Sequence, residues 1–177
     1  APLRLSVSPY MSSFADFDNG ETTVGYGAGA DLKLGLNESF TLDMSLLPDF
    51  SQVRSDNIVK NLGAFEIEFE EQRPFFQEGV DLFNRGDLFY SRRIGGAPIL
   101  NNQNLWNLDS TESVINNPTN TRLINVAKIS GRNKKGLGIG VMNAITASSN
   151  AVILDEATGE TREIETNPLV NYNIISF

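Results

Sequence analysis

The stretch VGYGAGADLKLGL, residues 24–36, decides the fold class of this chain. Its even-numbered residues are apolar or Tyr, and the odd-numbered residues between them are glycines, Asp31 and Lys33. Alternation with a period of two is typical of a β-strand, and this one is longer than the five or six residues of a usual soluble strand. A tilted strand of about 9–11 residues crosses a bilayer. The stretch therefore favours a barrel wall with lipid outside and a polar lumen inside, with a long edge hairpin of a soluble sandwich as the alternative.

Other segments of the chain show similar strand patterns, and after the first hairpin, whose turn lies at residues 16–21, the connections between them alternate in length. The loops near residues 37–39 and 132–135 are short, whereas an insert at about 49–119 and a polar loop at 148–168 are long. Outer-membrane barrels have short periplasmic turns and longer extracellular loops. We therefore predict an all-β fold of antiparallel strands that forms part of a transmembrane outer-membrane β-barrel, with the insert as a plug or lid between the third and fourth strands. The predicted strands lie at about residues 3–14, 22–36, 40–48, 121–131, 136–147 and 168–177.

The number of predicted strands bears on how much of a barrel the chain contains. The smallest single-chain membrane barrels have about eight strands, and an open sheet edge in lipid leaves backbone groups without hydrogen bonds. We therefore expect residues 1–177 to be the N-terminal portion of a larger barrel, or to be completed by partner chains.

Composition excludes several classes of function. The formal net charge of −8 argues against binding to nucleic acid, which depends on clustered Lys and Arg. The chain has no His and no Cys, which removes Ser-His-Asp and Cys-His catalysis and Cys/His zinc sites. We predict a non-enzymatic protein with no catalytic residue, no metal site and no cofactor.

Three weaker patterns have both a functional and a structural interpretation. Glu70 and Glu78 could be a glycosidase pair, although such pairs are common in an acidic chain. The segment from Asp16 to Glu21 could hold calcium, but an ordinary turn is the simpler interpretation. The glycines of GLGIG, residues 136–140, precede strand alternation instead of a helix, and we predict that they face a crowded lumen.

The insert combines carboxylates, arginines and phenylalanines in FEEQRPFFQEGVDLF, residues 69–83. Buried charges persist only when they are paired, so ion pairs are expected inside a barrel lumen or plug. The expected pairs join Glu66, Glu68, Glu78 or Asp81 to Arg73, Arg85, Arg92 or Arg93.

Four motifs in the insert resemble one known family. PDFSQV (48–53), NLGAFE (61–66), RPFFQEGVDLF (73–83) and LFYSRRIG (88–95) occur in the order found in a Bacteroidota outer-membrane β-barrel family of unassigned function. Its members usually carry an N-terminal family-9-like carbohydrate-binding domain. The family pattern has an acidic residue where Arg54 stands and Pro-Glu-Lys where this chain has residues 70–72. The resemblance implies that the insert folds into or over the barrel mouth.

Two functions from different classes follow. The first is an outer-membrane channel or surface-assembly component associated with glycan handling. Its partners would be outer-membrane lipid, the remaining barrel strands or other outer-membrane proteins, and glycans, with no nucleic acid. The alternative is a soluble carbohydrate-binding or carbohydrate-active β-sandwich module, in which Trp106 beside the amides of residues 101–104 would contact sugar.

The strand at residues 24–36 also gives a mutational expectation. Arginine at a lipid-facing position near the bilayer midplane costs about 2–4 kcal/mol, and changes on the lumen side cost far less. We therefore expect Ala30→Arg to impair membrane assembly and Gly29→Ser to be nearly silent.

Overall fold

The structure, a computed structural model, describes residues 4–18, 21–48, 68–84, 86, 89–105 and 107–177. It confirms an all-β fold with antiparallel strand pairing. Among the residues described, no helix has the length and apolar character needed to cross a membrane. The strands are β1 (Arg4–Asp18), β2 (Glu21–Gly35), β3 (Phe40–Leu46), β4 (Glu112–Asn116), β5 (Leu123–Arg132), β6 (Gly138–Thr146), β7 (Ser149–Asp155), β8 (Thr161–Asn167) and β9 (Val170–Ser176), and the short helices are α1 (Pro74–Gln77), α2 (Asn101–Asn104) and a 3₁₀ turn at Ser91–Arg93.

The strands form two sheets. The larger has six strands in the order β1-β2-β3-β5-β6-β9, and the smaller has three in the order β4-β7-β8. The six strands predicted from the sequence correspond to the six strands of the larger sheet. Within the described part of the chain this sheet is open, with β1 and β9 at its edges, so the structure contains no closed barrel.

The three strands of the smaller sheet were not predicted from the sequence. Strands β7 and β8 lie inside the predicted polar loop at 148–168, and β4 lies inside the predicted insert at 49–119. Strand β8 gives no apolar alternation, because its buried side chains, Thr166 and Asn167, are polar and most of its other residues are charged or Thr. The turn between β7 and β8 contains Gly159 at a φ of +74°, a conformation that favours glycine.

The β2–β3 and β5–β6 turns lie at one end of the larger sheet, the short-turn end. There Asn37 Oδ1 accepts hydrogen bonds from the backbone N–H groups of Ser39 and Phe40. In the second turn Asn133 Oδ1 accepts from the backbone N–H groups of Lys135 and Leu137. Both turns are thus closed by an asparagine side chain, a local bond that lets the chain reverse within a few residues.

The long excursions lie at the opposite end, the long-loop end. The β1–β2 hairpin extends past the other strands there, because β3 pairs with β2 only over residues 30–35. Residues 47–122 and the β7–β8 hairpin also leave the larger sheet at this end. After the first hairpin, the connections predicted to be short therefore lie at one end of the sheet, and those predicted to be long lie at the other end.

The two faces of the larger sheet differ in polarity. The covering segment, the described residues of 68–96, packs on one face, which we call the covered face; the other is the open face. An apolar row crosses all six strands on the open face, consisting of Leu5, Leu34, Leu42, Ile129, Val141 and Ile175. The large apolar side chains that this face exposes are Leu5, Val7, Met11, Val24, Tyr26, Leu46, Ile129, Ile139, Val141 and Ile175.

The apolar core lies between the covered face and the covering segment. The segment contributes Phe76, Val80, Phe83 and Ile94. The sheet contributes Leu123, Val126, Met142 and Ala144 from β5 and β6. The core is therefore built on the face opposite the longest apolar rows.

The prediction that the glycines of GLGIG are crowded holds for Gly138 and Gly140, on the covered face of β6, but not for Gly136, where an added Cβ would have nothing within 4 Å. A Cβ atom added at Gly138 would lie 2.5 Å from Leu82 Cδ2, and one added at Gly140 would lie 2.8 Å from Phe83 Cζ. Gly29 on β2 is also crowded, because a Cβ there would lie 2.5 Å from Tyr10 Oη and 2.6 Å from the backbone oxygen of Leu46. A serine at residue 29 therefore requires these neighbours to shift, which argues against the expectation that Gly29→Ser is nearly silent.

Candidate functional site on the covered face

A cleft of about 250 Å³ opens between the covered face of β1–β3 and the covering segment. Its floor is formed by the odd-numbered residues of β2 and their neighbours on β1 and β3, the positions that the alternation assigns to the polar face. Phe75 and Lys128 close one side. Hydroxyl and charged groups at this density hydrogen-bond water and polar solutes. These groups belong to Ser6, Ser8, Asp31, Lys33, Asp43 and Glu78.

Lys33 connects the cleft floor to the covering segment. Its Nζ lies 2.7 Å from Glu78 Oε2 and 3.6 Å from Asp43 Oδ1, the side chain opposite it on β3. Both Lys33 and Glu78 are more than half exposed. Because exposed ion pairs are worth only about 0–1 kcal/mol, this contact orients the segment more than it stabilises it.

Lys128 is the largest fully buried side chain in the part of the chain that the structure describes, with 1% of its surface exposed. It projects from the covered face of β5, and its Nζ donates hydrogen bonds to the backbone oxygens of Phe75 and Glu78. The same atom lies 4.4 Å from the centroid of the Phe75 ring. These contacts satisfy carbonyl groups around the short helix α1 and attach it to the sheet.

Arg73 and Glu71 form a bidentate pair inside the covering segment. Arg73 Nε donates to Glu71 Oε1 at 2.8 Å and Nη2 donates to Oε2 at 2.6 Å. The guanidinium also donates to the backbone oxygens of Ile94 and Ser91 and lies 4.2 Å from the Phe76 ring centroid. The pair therefore ties residues 71–76 to residues 91–94, the two halves of the segment.

The neighbours of Glu71 stabilise the ionised form of its carboxyl group. Burial alone would raise the pKa of its carboxyl, but hydrogen bonds from Arg73 and from the Ser91 hydroxyl outweigh burial. The pKa of Glu71 therefore lies below its ordinary value of 4.5. A carboxylate whose pKa falls on folding stabilises the fold above its unfolded pKa, and that contribution is lost as the pH falls through the lowered folded value.

Acidification is therefore expected to loosen the covering segment. The free energy of unfolding should fall as the pH drops below 4.5, the ordinary pKa of the Glu71 carboxyl, because in that range unfolding is accompanied by proton uptake at Glu71. In the Glu71→Gln variant the decrease should be smaller, since the titrating group is gone. Urea unfolding of both proteins at several pH values measures the difference, and identical slopes would contradict the role given to Glu71.

The whole chain matches one protein family. Residues 1–177 match the family described as "Domain of unknown function (DUF5916)". The chain belongs to the DUF5916 family. No curated protein and no solved structure matches it.

The DUF5916 domain brings two of the predicted site residues into ion pairs with partners that the sequence analysis did not name. Among the described residues, Glu78 pairs with Lys33 of β2. Arg73 binds Glu71. Both contacts depend on how the covering segment turns back on itself and on the sheet.

The remaining predicted residues of this DUF5916 domain are more peripheral. Glu68 and Asp81 are exposed and form no ion pair with any residue that the structure describes. Arg92 Nη1 donates to the backbone oxygen of Glu70 at 3.4 Å, and Arg93 lies 5.8 Å from the Tyr90 ring centroid. Three further predicted residues lie outside the described residues: Glu66, Arg85 and Trp106.

Sequence reasoning missed Lys128, Asp43 and Glu71. Lys128 sits in AKIS, where a lysine flanked by apolar residues reads as a solvent-facing strand position. Only the pairing of β3 with β5 places it opposite Asp43, under the covering segment. That pairing joins strands separated by the whole insert, so no local signal reveals it.

The chemistry of the site is that of charge and hydrogen bonding. Among the described residues, no group of three or more Asp or Glu could hold a metal ion. The Glu70 and Glu78 pair is not supported as a glycosidase centre, since Lys33 holds Glu78 and lowers its pKa. A general acid needs the opposite shift. The turn proposed for calcium includes residues 19 and 20, which lie outside the described residues.

Proposed function

We propose that the larger sheet is part of the wall of a bacterial outer-membrane β-barrel, with its open face against lipid. The covering segment would lie inside the barrel as a plug, and the cleft would be its water-filled side. The protein would act as a non-enzymatic channel or surface-assembly component. Glycan handling and a Bacteroidota origin remain implications of the motif resemblance described above.

The observation that carries this proposal is that the sheet exposes its apolar face and covers its polar face. Ten large apolar side chains of the open face are exposed, while Lys128 is fully buried on the opposite face. A soluble protein rarely exposes a contiguous apolar patch larger than a few hundred Å². Strands of membrane barrels alternate apolar residues toward lipid with polar residues toward the lumen.

The connections support the same arrangement. The β2–β3 and β5–β6 turns lie at one end of the sheet, whereas the β3–β5 connection and the β7–β8 hairpin leave it at the other end, where β1 and β2 also extend beyond β3. Outer-membrane barrels place short turns on the periplasmic side and long loops outside. The short-turn end would therefore face the periplasm.

The free edges of the sheet also fit a barrel wall. Within the described residues, β1 and β9 each pair on one side only. Unpaired backbone groups are costly in lipid, so further strands, from the same protein or from partner chains, would have to pair with these edges.

A soluble β-sandwich is the competing fold. It would cover the apolar face of the sheet with a second sheet, but here the covering segment lies on the other face. Its predicted sugar contact, Trp106, lies outside the described residues, so no described contact favours this alternative.

An arginine substitution at an exposed residue of the open face distinguishes the barrel wall from the soluble sandwich. Val141 is 40% exposed on the open face of β6. In water, Val141→Arg should change stability by no more than about 0.5 kcal/mol, whereas in a bilayer it should cost about 2–4 kcal/mol. Leu137→Arg, in the adjacent short turn at 52% exposure, is the matched control, with an expected cost of about 0–1 kcal/mol.

The measurement is the free energy of folding of the intact protein into phospholipid vesicles. A loss for Val141→Arg that exceeds the loss for Leu137→Arg by about 2 kcal/mol supports a lipid-facing wall. Equal, small losses would refute it.

A further inference from the structure

Four asparagines interrupt the apolar open face at one place. Asn143 and Asn173 lie side by side in the β6–β9 register, next to Ala127 of β5. Asn125 and Asn171 flank Ile145 in the adjacent row. We call Asn125, Asn143, Asn171 and Asn173 the amide patch.

The amides of the patch satisfy one another only in part. Asn143 Nδ2 donates to Asn171 Oδ1 at 2.6 Å and to Asn173 Oδ1 at 2.9 Å. The side-chain oxygen of Asn125 also has no hydrogen-bond partner among the described residues, but it is buried within the protein and out of reach of another molecule. Asn171 and Asn173 are exposed and accept these two bonds through their oxygens. An amide has two donor hydrogens and two acceptor lone pairs, so the exposed amides of the patch have unused capacity.

The unused capacity matters because of where the patch lies. Ile129, Val141 and Ile175 border it toward the short-turn end, and Ile145 lies within it. In hydrocarbon an amide without a partner costs several kcal/mol. The patch therefore needs a partner if the open face lies in lipid, and this step rests on the function proposed above.

The chemistry of the patch favours one partner. It contains only neutral amides, and an amide is both donor and acceptor, so the patch is complementary to itself. A two-fold interface brings the same surface of two subunits together. We infer that two copies of the protein associate in the membrane plane through the amide patch, with asparagines of one copy hydrogen-bonded to asparagines of the other.

Cysteine cross-linking tests this inference, because the chain has no native cysteine. Ala127→Cys is inside the patch, and Val7→Cys lies in the same row of the open face at the opposite edge of the sheet. In the intact protein in phosphatidylcholine vesicles, Ala127→Cys should form disulfide-linked dimers on oxidation, and Val7→Cys should not. Adding Asn143→Leu and Asn173→Leu should reduce the dimer about tenfold, because a polar contact in a membrane is worth about 1–2 kcal/mol.

A second readout separates this inference from the proposed function. Fluorescent labels on the same two cysteines are exposed to brominated phosphatidylcholine, which quenches labels in contact with acyl chains. Quenching at residue 7 with protection at residue 127, together with cross-linking at 127, supports the dimer. Equal quenching at both positions, or protection at 127 without cross-linking, overturns the dimer and leaves the barrel wall intact. No quenching at either position would refute the barrel wall itself.

Discussion

Replacing Glu71 with glutamine is expected to lower the free energy of unfolding by about 3–5 kcal/mol, the typical cost of removing one partner of a buried ion pair. Arg73 is buried, with 8% of the residue exposed. Glutamine would leave its positive charge in place without the bidentate carboxylate. The two halves of the covering segment, which this pair joins, should then separate at lower urea concentration.

The control for Glu71 is its neighbour Glu70, which is exposed. Glu70→Gln changes the same chemical group one residue away and should shift stability by no more than about 0.5 kcal/mol. Pulse proteolysis of the intact protein in urea measures both variants. Equal shifts for the two would show that the Arg73–Glu71 contact does not hold the segment.

Replacing Lys128 with alanine should have a similar effect, about 3–5 kcal/mol. The change removes two hydrogen bonds from a charged donor, each worth about 1.5–3 kcal/mol, and leaves the backbone oxygens of Phe75 and Glu78 without this partner. It also leaves a cavity under the Phe75 ring. The covering segment should therefore be cleaved by protease at lower urea concentration than in the wild type.

Two further variants serve as controls for Lys128→Ala. Lys128→Met keeps most of the side-chain volume but removes the hydrogen bonds. The difference in stability between Lys128→Met and Lys128→Ala therefore measures the cost of the cavity. Lys134→Ala removes an exposed lysine in the short turn after β5 and should change little. A loss for Lys128→Ala no larger than that for Lys134→Ala would contradict the role of Lys128 as the anchor of α1.

The larger sheet was predictable because its strands alternate over long stretches. In β2 from Val24 onward, and in β6 except at Met142 and Asn143, apolar residues alternate with small or polar residues, and that pattern depends only on which face each residue occupies. The short turns were predictable for a local reason, since Asn37 and Asn133 close them with their own side chains. Local chemistry was sufficient for these elements.

The smaller sheet and the ion pairs depend on contacts that are distant in sequence. Glu112 of β4 accepts two hydrogen bonds from Arg162 of β8, fifty residues away, and this contact lowers the pKa of Glu112 to about 2. Lys33 and Glu78 are likewise separated by forty-five residues. Alternation shows which face of a strand a residue occupies, but not which strand or segment packs opposite it. The partners of these charged residues could therefore not be predicted from the sequence.

Strand β2 provides the most direct test of a lipid-facing wall. Asp31 and Lys33 lie on the covered face at the cleft, and Leu32 and Leu34 lie on the open face. Cysteines placed singly at these four positions of the intact protein in vesicles would be tested with a water-soluble maleimide and with a maleimide dissolved in the bilayer. We expect residues 31 and 33 to react with the water-soluble reagent, and residues 32 and 34 to react only with the bilayer reagent. Reaction of residues 32 and 34 with the water-soluble reagent, or with neither reagent, would contradict the account.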